Sequence, residues 1–245
     1  MKDDRYRHEL KYLINLPDWA LLRSRMKGII PPDENAGTSG EYWIRSLYFD
    51  DYWDSAYQEK EDGILLRHKY RLRVYNCSDR FIKLERKNKY GQYILKESAP
   101  VTRSETELIL CGEYDFLKKS KYNLLQEFYY ECTSKIMRPR VIVDYDREPY
   151  ALKEGDVRIT FDKHVRAGFG RLDLFDQNLP AIEVFQSDQM IMEIKFTEFL
   201  PGLVRSLLPP RASILTAASK YTLSCNAAVR EKNLNRTEGF LWMAH

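Results

Sequence analysis

Between Arg67 and Tyr75 the chain places a cation at every second position until the last two residues. Side chains two apart on a strand share a face, so Arg67, Lys69, Arg71 and Arg73 project to one side while His68, Tyr70, Leu72 and Val74 project to the other. One face of this strand is four cations deep, and the fold has to put that row of charge somewhere.

The pattern recurs. Lys83, Glu85, Lys87 and Lys89 alternate with Ile82, Leu84 and Arg86, and the next strand adds Lys96. Arg5, Arg7, Glu9 and Lys11 oppose Tyr6, His8, Leu10 and Tyr12. Arg158, Thr160, Asp162 and His164 oppose Val157, Ile159 and Phe161, and Glu193 and Lys195 alternate with Met192, Ile194 and Phe196. Strands are therefore predicted at about residues 5–14, 42–50, 67–75, 80–88, 92–98, 139–146, 157–166 and 190–196, most with short turn-rich connections that suit antiparallel pairing. Helices are predicted at about 18–27, started by Pro17 and Asp18, at 103–131, and from 203 to about 229 with a break at Pro209-Pro210. A single domain over residues 1–230 with a C-terminal tail, 231–245, is expected.

Alternation alone also describes the solvated side of an ordinary antiparallel sheet. The sorting of charge favours another arrangement. The whole chain carries 39 Lys and Arg against 36 Asp and Glu, a net charge of +3, so it is no generally basic nucleic-acid coat, and no nucleic-acid partner is expected. Yet cations cluster on these faces with a few carboxylates inserted, where a solvated face would mix its signs. If the faces point inward, the interior is a wet tunnel or holds a polyanion, because unpaired buried charge costs several kcal/mol. The apolar outer faces would then be covered by helices near 20–29, 108–128 and 203–223. The fold class expected is α+β: an antiparallel β-barrel with a charged lumen and helices outside.

Cys77, Cys111, Cys132 and Cys225 lack metal-site spacing and are expected as reduced, buried thiols. No apolar run is long enough to span a bilayer and the N-terminus has no apolar signal core, so a cytoplasmic location is expected.

In order and spacing, several segments resemble the triphosphate tunnel metalloenzymes, most closely the VTC-type polyphosphate polymerase domains: Glu9-Leu-Lys11-Tyr12, Arg45-Ser-Leu-Tyr-Phe-Asp50, Lys69 to Tyr75, Leu84-Glu85-Arg86-Lys87, Tyr145-Asp-Arg147, Val157 to Asp162, Met192 to Phe196 and Ser219-Lys220-Tyr221. The resemblance implies that Lys11, Arg71, Arg73, Arg147 and Arg158 act on the reacting phosphates, that Lys69, Lys87, Lys96 and Lys220 hold the phosphate chain, and that Glu193 binds Mn2+ or Mg2+. Glu85 is a further candidate for orienting a lumen cation or a metal-bound water. The implied substrates are ATP and polyphosphate or pyrophosphate. Oligomeric state and any membrane-bound partner are not readable from this chain. Two alternatives stand beside the polymerase: a tunnel triphosphatase, and a non-catalytic polyanion-binding module. Tunnel hydrolases commonly open with Glu-x-Glu-x-Lys, whereas this chain has Arg7-x-Glu9-x-Lys11, which favours the polymerase.

Overall fold

The computed structural model describes residues 7–91, 93–207, 214–215 and 218–242. Arg5, the predicted strand start at Gln92 and the Pro209-Pro210 break lie outside them. Among the described residues the strands are β1 (His8–Asn15), β2 (Tyr42–Asp50), β3 (Leu66–Tyr75), β4 (Ser78–Tyr90), β5 (Tyr93–Val101), β6 (Arg138–Leu152), β7 (Val157–Gly168), β8 (Ala181–Glu183), β9 (Gln189–Phe196) and β10 (Ile214–Leu215). They form one antiparallel sheet in the order β10-β1-β9-β7-β6-β2-β3-β4-β5, with β8 beside β7. The sheet curls until its ends meet at one point, where Arg7 and Ile94 exchange backbone hydrogen bonds of 3.3 Å in both directions. Among the described residues, which begin at Arg7, this bridge closes the barrel.

β6 outruns its predicted end at Asp146 despite Pro149. The Pro149 carbonyl accepts from the Asp33 amide at 2.9 Å on the side away from β7, so the missing N–H falls outside the β6–β7 ladder.

Helices α1 (Leu16–Met26), α2 (Ser55–Glu61), α3 (Arg103–Cys111), α4 (Asn123–Ser134), α5 (Gly202–Ser206) and α6 (Lys220–Trp242) complete the fold. α1 begins two residues earlier than Asp18 because Asn15 caps it, accepting from the Asp18 amide at 2.8 Å. The predicted helix at 103–131 is two helices. Gly112, at φ 84°, ends α3 in the left-handed conformation that glycine adopts without strain, and a short 3-10 turn leads into α4. α6 continues beyond Val229 to Trp242, through a stretch whose first glycine is Gly239 and which contains no proline.

Outer apolar faces pack as expected. Leu72, Val74 and Leu84 meet Ile109, Leu125 and Phe128 of α3 and α4, and Ile159, Phe161 and Ile194 meet Leu22, Met26 and Val204 of α1 and α5. α6 does something else. Its Tyr221 and Cys225 pack on Ile44, Tyr48, Val143 and Tyr145, the face that also carries Ser46 and Arg147, so this helix enters the concave side of the sheet. Tyr221 is anchored there by donating its hydroxyl hydrogen to Asp50 at the end of β2. Of the cysteines, all are free thiols, but Cys111 is exposed, as the last residue of α3, while the other three are buried. No described helix is long and apolar enough to cross a membrane.

Candidate functional site

The charged faces do turn inward. They enclose a cavity of about 520 Å3 lined, among the described residues, by eleven Lys and Arg side chains and two carboxylates, Glu9 and Glu193. In a chain with a net charge of only +3, the described lining thus holds nine more cations than carboxylates, with the carboxylates of Glu85 and Asp162 directly behind it.

Strand register explains the layout. Lys11 of β1 lies opposite Glu193 of β9, which lies opposite Thr160 of β7; one row along, Glu9, Lys195 and Arg158 align in the same way. Each carboxylate thus sits among cations. Lys11 Nζ is 3.5 Å from Glu9 and 3.6 Å from Glu193, and Lys195 Nζ is 2.8 Å from Glu193 and 3.5 Å from Glu9. Burial opposes ionisation of Glu193, but Lys195, Lys220, Lys11 and Arg147 outweigh it and hold the carboxyl well below the usual range. Glu9 is likewise held low against burial, by Lys11 and Lys87.

Next to this row, Asp162 is fully buried and takes both Arg147 Nε at 2.7 Å and Nη2 at 2.8 Å. Lys220, the first residue of α6, reaches Asp162 at 2.5 Å and Glu193 at 3.7 Å. Burial lowers the affinity of Lys220 for its proton, yet Asp162 and Glu193 more than restore it, and the ammonium is held well above its ordinary value. The inserted helix thereby brings a charge that strand alternation could not supply.

On β3 and β4 the balance differs. Arg71 binds buried Glu85 through Nε at 2.8 Å and Nη2 at 2.6 Å, and gives Nη1 to the Tyr48 hydroxyl at 2.8 Å. Arg73 bonds Ser46 and the Tyr145 hydroxyl, at 3.1 and 3.0 Å. Lys69 meets only the Ser219 hydroxyl at 3.1 Å and the Tyr221 ring among its described contacts. Burial and the neighbouring Arg67, Lys11 and Lys87 push its pKa down to about 7. Lys87 is also pushed to about 7, because burial outweighs the pull of Glu9 at 2.9 Å, whose charge is shared with Lys11 and Lys195.

Of the residues named from sequence, Lys11, Lys69, Arg71, Arg73, Lys87, Arg147, Glu193 and Lys220 line the cavity. Glu85 stands behind Arg71 and Arg73. Lys96 does not line it: its half-exposed side chain reaches Glu85 at 3.2 Å. Arg158 ends the Glu9–Lys195 row on β7, outside the cavity lining, bound to Asp33 and the Tyr42 hydroxyl, each at 3.1 Å. Arg7 is also outside the lining, paired with Asp156 at 2.9 Å, so it supplies no lumen cation in place of a hydrolase carboxylate. Glu9, Asp162, Lys195, Tyr48 and Tyr145 belong to the cavity or its immediate support and are not among the site residues named from sequence; the alternation signals the first three.

No group of three or more His, Cys, Asp or Glu side chains arranged for a metal occurs among the described residues. Two ionised carboxylates beside a phosphate-sized cavity do fit a hard divalent ion that takes most of its oxygen ligands from phosphate and water.

Solved structures of other proteins share the fold. A putative adenylate cyclase from Bacillus halodurans matches with a TM-score of 0.51 and 12% identity, over 79% of this chain and 82% of that one. A putative adenylyl cyclase from Hippeastrum, described as having a dominant triphosphatase activity, matches with a TM-score of 0.55 and 12% identity, over 90% and 94%. No curated protein matched. The profile of the VTC domain matches residues 6–229, nearly the whole chain, and so the inward-turned strands and their cations belong to a member of the VTC domain family.

Proposed function

We propose that this protein is a metal-dependent polyphosphate polymerase that moves the γ-phosphoryl of ATP onto a growing phosphate chain inside the cavity. The observation that carries this reading is the row of cations lining one cavity, among them Lys69, which meets a hydroxyl and a ring but no carboxylate among its described contacts, so that a multiply charged anion would complete their balance.

Phosphoryl transfer asks for positioning and charge stabilisation more than for covalent help. Arg71, Arg73 and Arg147 are pre-aimed by Glu85, Ser46, Tyr145 and Asp162, so they stabilise charge on the transferring group without reorganising. A terminal oxygen of the chain attacks the γ-phosphorus. The bond from that phosphorus to the β,γ-bridging oxygen breaks, and the nucleoside diphosphate leaves with the electron pair. The acceptor oxygen is already ionised at neutral pH and needs no general base. Glu193, with Glu9 beside it, would hold Mn2+ or Mg2+, which when bound neutralises charge on the phosphate oxygens. Lys69, Lys87 and Lys220 hold the chain, and Lys96 acts through Glu85. A cytoplasmic location, where ATP is available, suits this reading.

A triphosphatase is the second reading. The Arg7 argument against it does not reach the lumen, because Arg7 is turned to Asp156, and the Hippeastrum protein of the same fold is described as a triphosphatase. Incubation with ATP and Mn2+ or Mg2+, with products resolved by size, separates the two: long phosphate chains support the polymerase, inorganic phosphate alone overturns it. Glu193→Ala should lower turnover by ~100-fold or more, on the scale of losing a principal electrostatic stabiliser, while tripolyphosphate binding without metal holds or tightens as a carboxylate leaves the cation cluster. Unchanged turnover removes Glu193 from the mechanism; absence of turnover in the parent protein leaves a polyanion-binding module.

A further inference from the structure

Outside the barrel, α1 and the segment that follows it border a second cavity of about 740 Å3, larger than the charged one in the lumen and separate from its lining. Trp19, Ile30, Pro31, Pro32 and Tyr150 give it apolar walls. A smaller cavity of about 170 Å3 continues it, sharing Trp19, Arg23, Pro32 and Tyr150. Mostly apolar walls, a few placed polar groups and a volume of this order are what small organic ligands occupy.

The two rings are held from below. Glu148, 5% exposed, accepts from the Trp19 indole Nε1 at 3.0 Å and from the Tyr150 hydroxyl at 2.6 Å, so one buried carboxylate orients both. Arg23 Nε and Lys163 Nζ complete it at 3.0 and 3.3 Å. Glu41, at the edge of the smaller cavity, is paired with Lys163 at 2.7 Å. Both carboxylates are thus spent within the protein and leave nothing for a cationic ligand.

Charge and shape narrow the ligand further. Among the described residues the larger cavity is lined by Arg23 and Lys27 but by no Asp or Glu. The described contact of Lys27 is made by its backbone amide, on the Arg23 carbonyl at 3.1 Å, and its side chain is exposed. The Met26 carbonyl is taken by the amides of Ile29 and Ile30, so these two carbonyls at the negative end of α1 are not turned on an incoming anion. Arg23 lies 5.3 Å from the Trp19 ring, and a guanidinium plane stacks on flat rings as well as pairing with anions. Ala20, Arg23, Ser24 and Lys27 along the α1 wall are exposed, so the cavity is a groove open to water on that side. An acyl chain laid there would stay half in water, whereas a flat ring needs only the faces of the tryptophan, tyrosine and prolines.

We infer that this groove binds a flat aromatic anion, its ring against Trp19 and Tyr150 and its single carboxylate or phosphate group on Lys27 and Arg23. The site is independent of the chemistry in the barrel.

Two dyes test it by fluorescence titration of the full chain: anilinonaphthalene sulfonate, and phenylnaphthylamine, which has the same rings without the charge. The parent protein should bind the sulfonate dye saturably, with the same affinity whether or not tripolyphosphate is present to fill the lumen. Lys27→Met should weaken the sulfonate dye ~threefold, the scale of an exposed ion pair, and leave the neutral dye unchanged. Trp19→Leu should weaken both ~tenfold, the scale of a lost ring contact. Because Trp19 also supports Glu148, a lower melting temperature of Trp19→Leu leaves the split between the dyes in Lys27→Met, at an exposed position, to decide. Equal effects of Lys27→Met on the two dyes overturn the proposal, as does sulfonate binding that is absent in the parent or lost when tripolyphosphate is added. Competition by naphthoate and by adenosine monophosphate then tells a carboxylate ligand from a phosphate one; displacement of the dye by neither also overturns the proposal.

Discussion

The wall built by β1, β9 and β7 and the wall built by β3 and β4 carry the same residue types in different electrostatic balance. On the first, Asp162, Glu193 and Glu9 interleave with Arg147, Lys220, Lys11 and Lys195, and Lys11 and Lys220 hold their protons above the ordinary value. On the second, Glu85 serves Arg71 and Arg73, Lys87 depends on Glu9 from across the cavity, and Lys69 has a hydroxyl and a ring. Two identical ammonium groups, Lys220 and Lys69, are consequently driven in opposite directions, and the cause is whether a buried carboxylate lies beside them. The first wall is balanced without ligand; the second stores repulsion that an arriving polyanion relieves.

Opposite responses to removing one charge would sharpen that contrast most. Asp162→Ala leaves Arg147 and Lys220 without their buried partner and should cost about 3–5 kcal/mol in urea unfolding. Lys69→Met removes a repelled charge and should leave the midpoint unchanged or raise it, while weakening tripolyphosphate binding. A Lys69→Met cost as large as that of Asp162→Ala would mean that the walls are alike.

A pH series probes the same difference at a smaller scale. With Lys69 and Lys87 titrating at about 7 in the folded protein and near 10.4 when unfolded, the unfolded state binds more protons between those values. Stability of the unliganded protein should therefore rise as pH climbs through that window. Binding runs the other way, because a phosphate chain favours the protonated lysines. Tripolyphosphate affinity should fall roughly tenfold between pH 7 and 9, with proton uptake visible in titrations repeated in buffers of different ionisation enthalpy. An affinity flat across this range would remove the stored repulsion. Smallest of all should be Lys96→Ala, which takes a half-exposed cation from Glu85 and should change stability by no more than ~1 kcal/mol; a larger loss would make Lys96 an equal partner of Arg71 in holding that carboxylate.

Much of the cavity was legible because a period of two assigns residues to a face without reference to anything distant. Lys69, Arg71, Arg73, Lys87 and Glu193 follow from it together with the family resemblance. The same rule overreached at Arg7, Lys96 and Arg158, which share the inward face but lie where the path ends, against Asp156, Glu85 and Asp33. Arg45 shows the converse: Asp144 holds it as fully and as bidentately as Asp162 holds Arg147, yet Arg45 sits on the outer face and binds the carbonyls of Asp173 and Asp176. Two buried arginine–aspartate pairs of equal chemistry thus seal a loop in one place and line a cavity in the other.

The alternation of Arg and Lys with apolar residues determined, by itself, that several strands would each carry one charged and one greasy face, because successive side chains on a strand point to opposite sides. Which face was enclosed, which carboxylate met which cation across the register, and that α6 would enter the concave side to deliver Lys220 were decided only in the folded chain. Those outcomes depend on pairing between segments as distant as Lys11 and Glu193 or Asp162 and Lys220, and a side chain's neighbours across a sheet are set by register and curl, which no local period encodes.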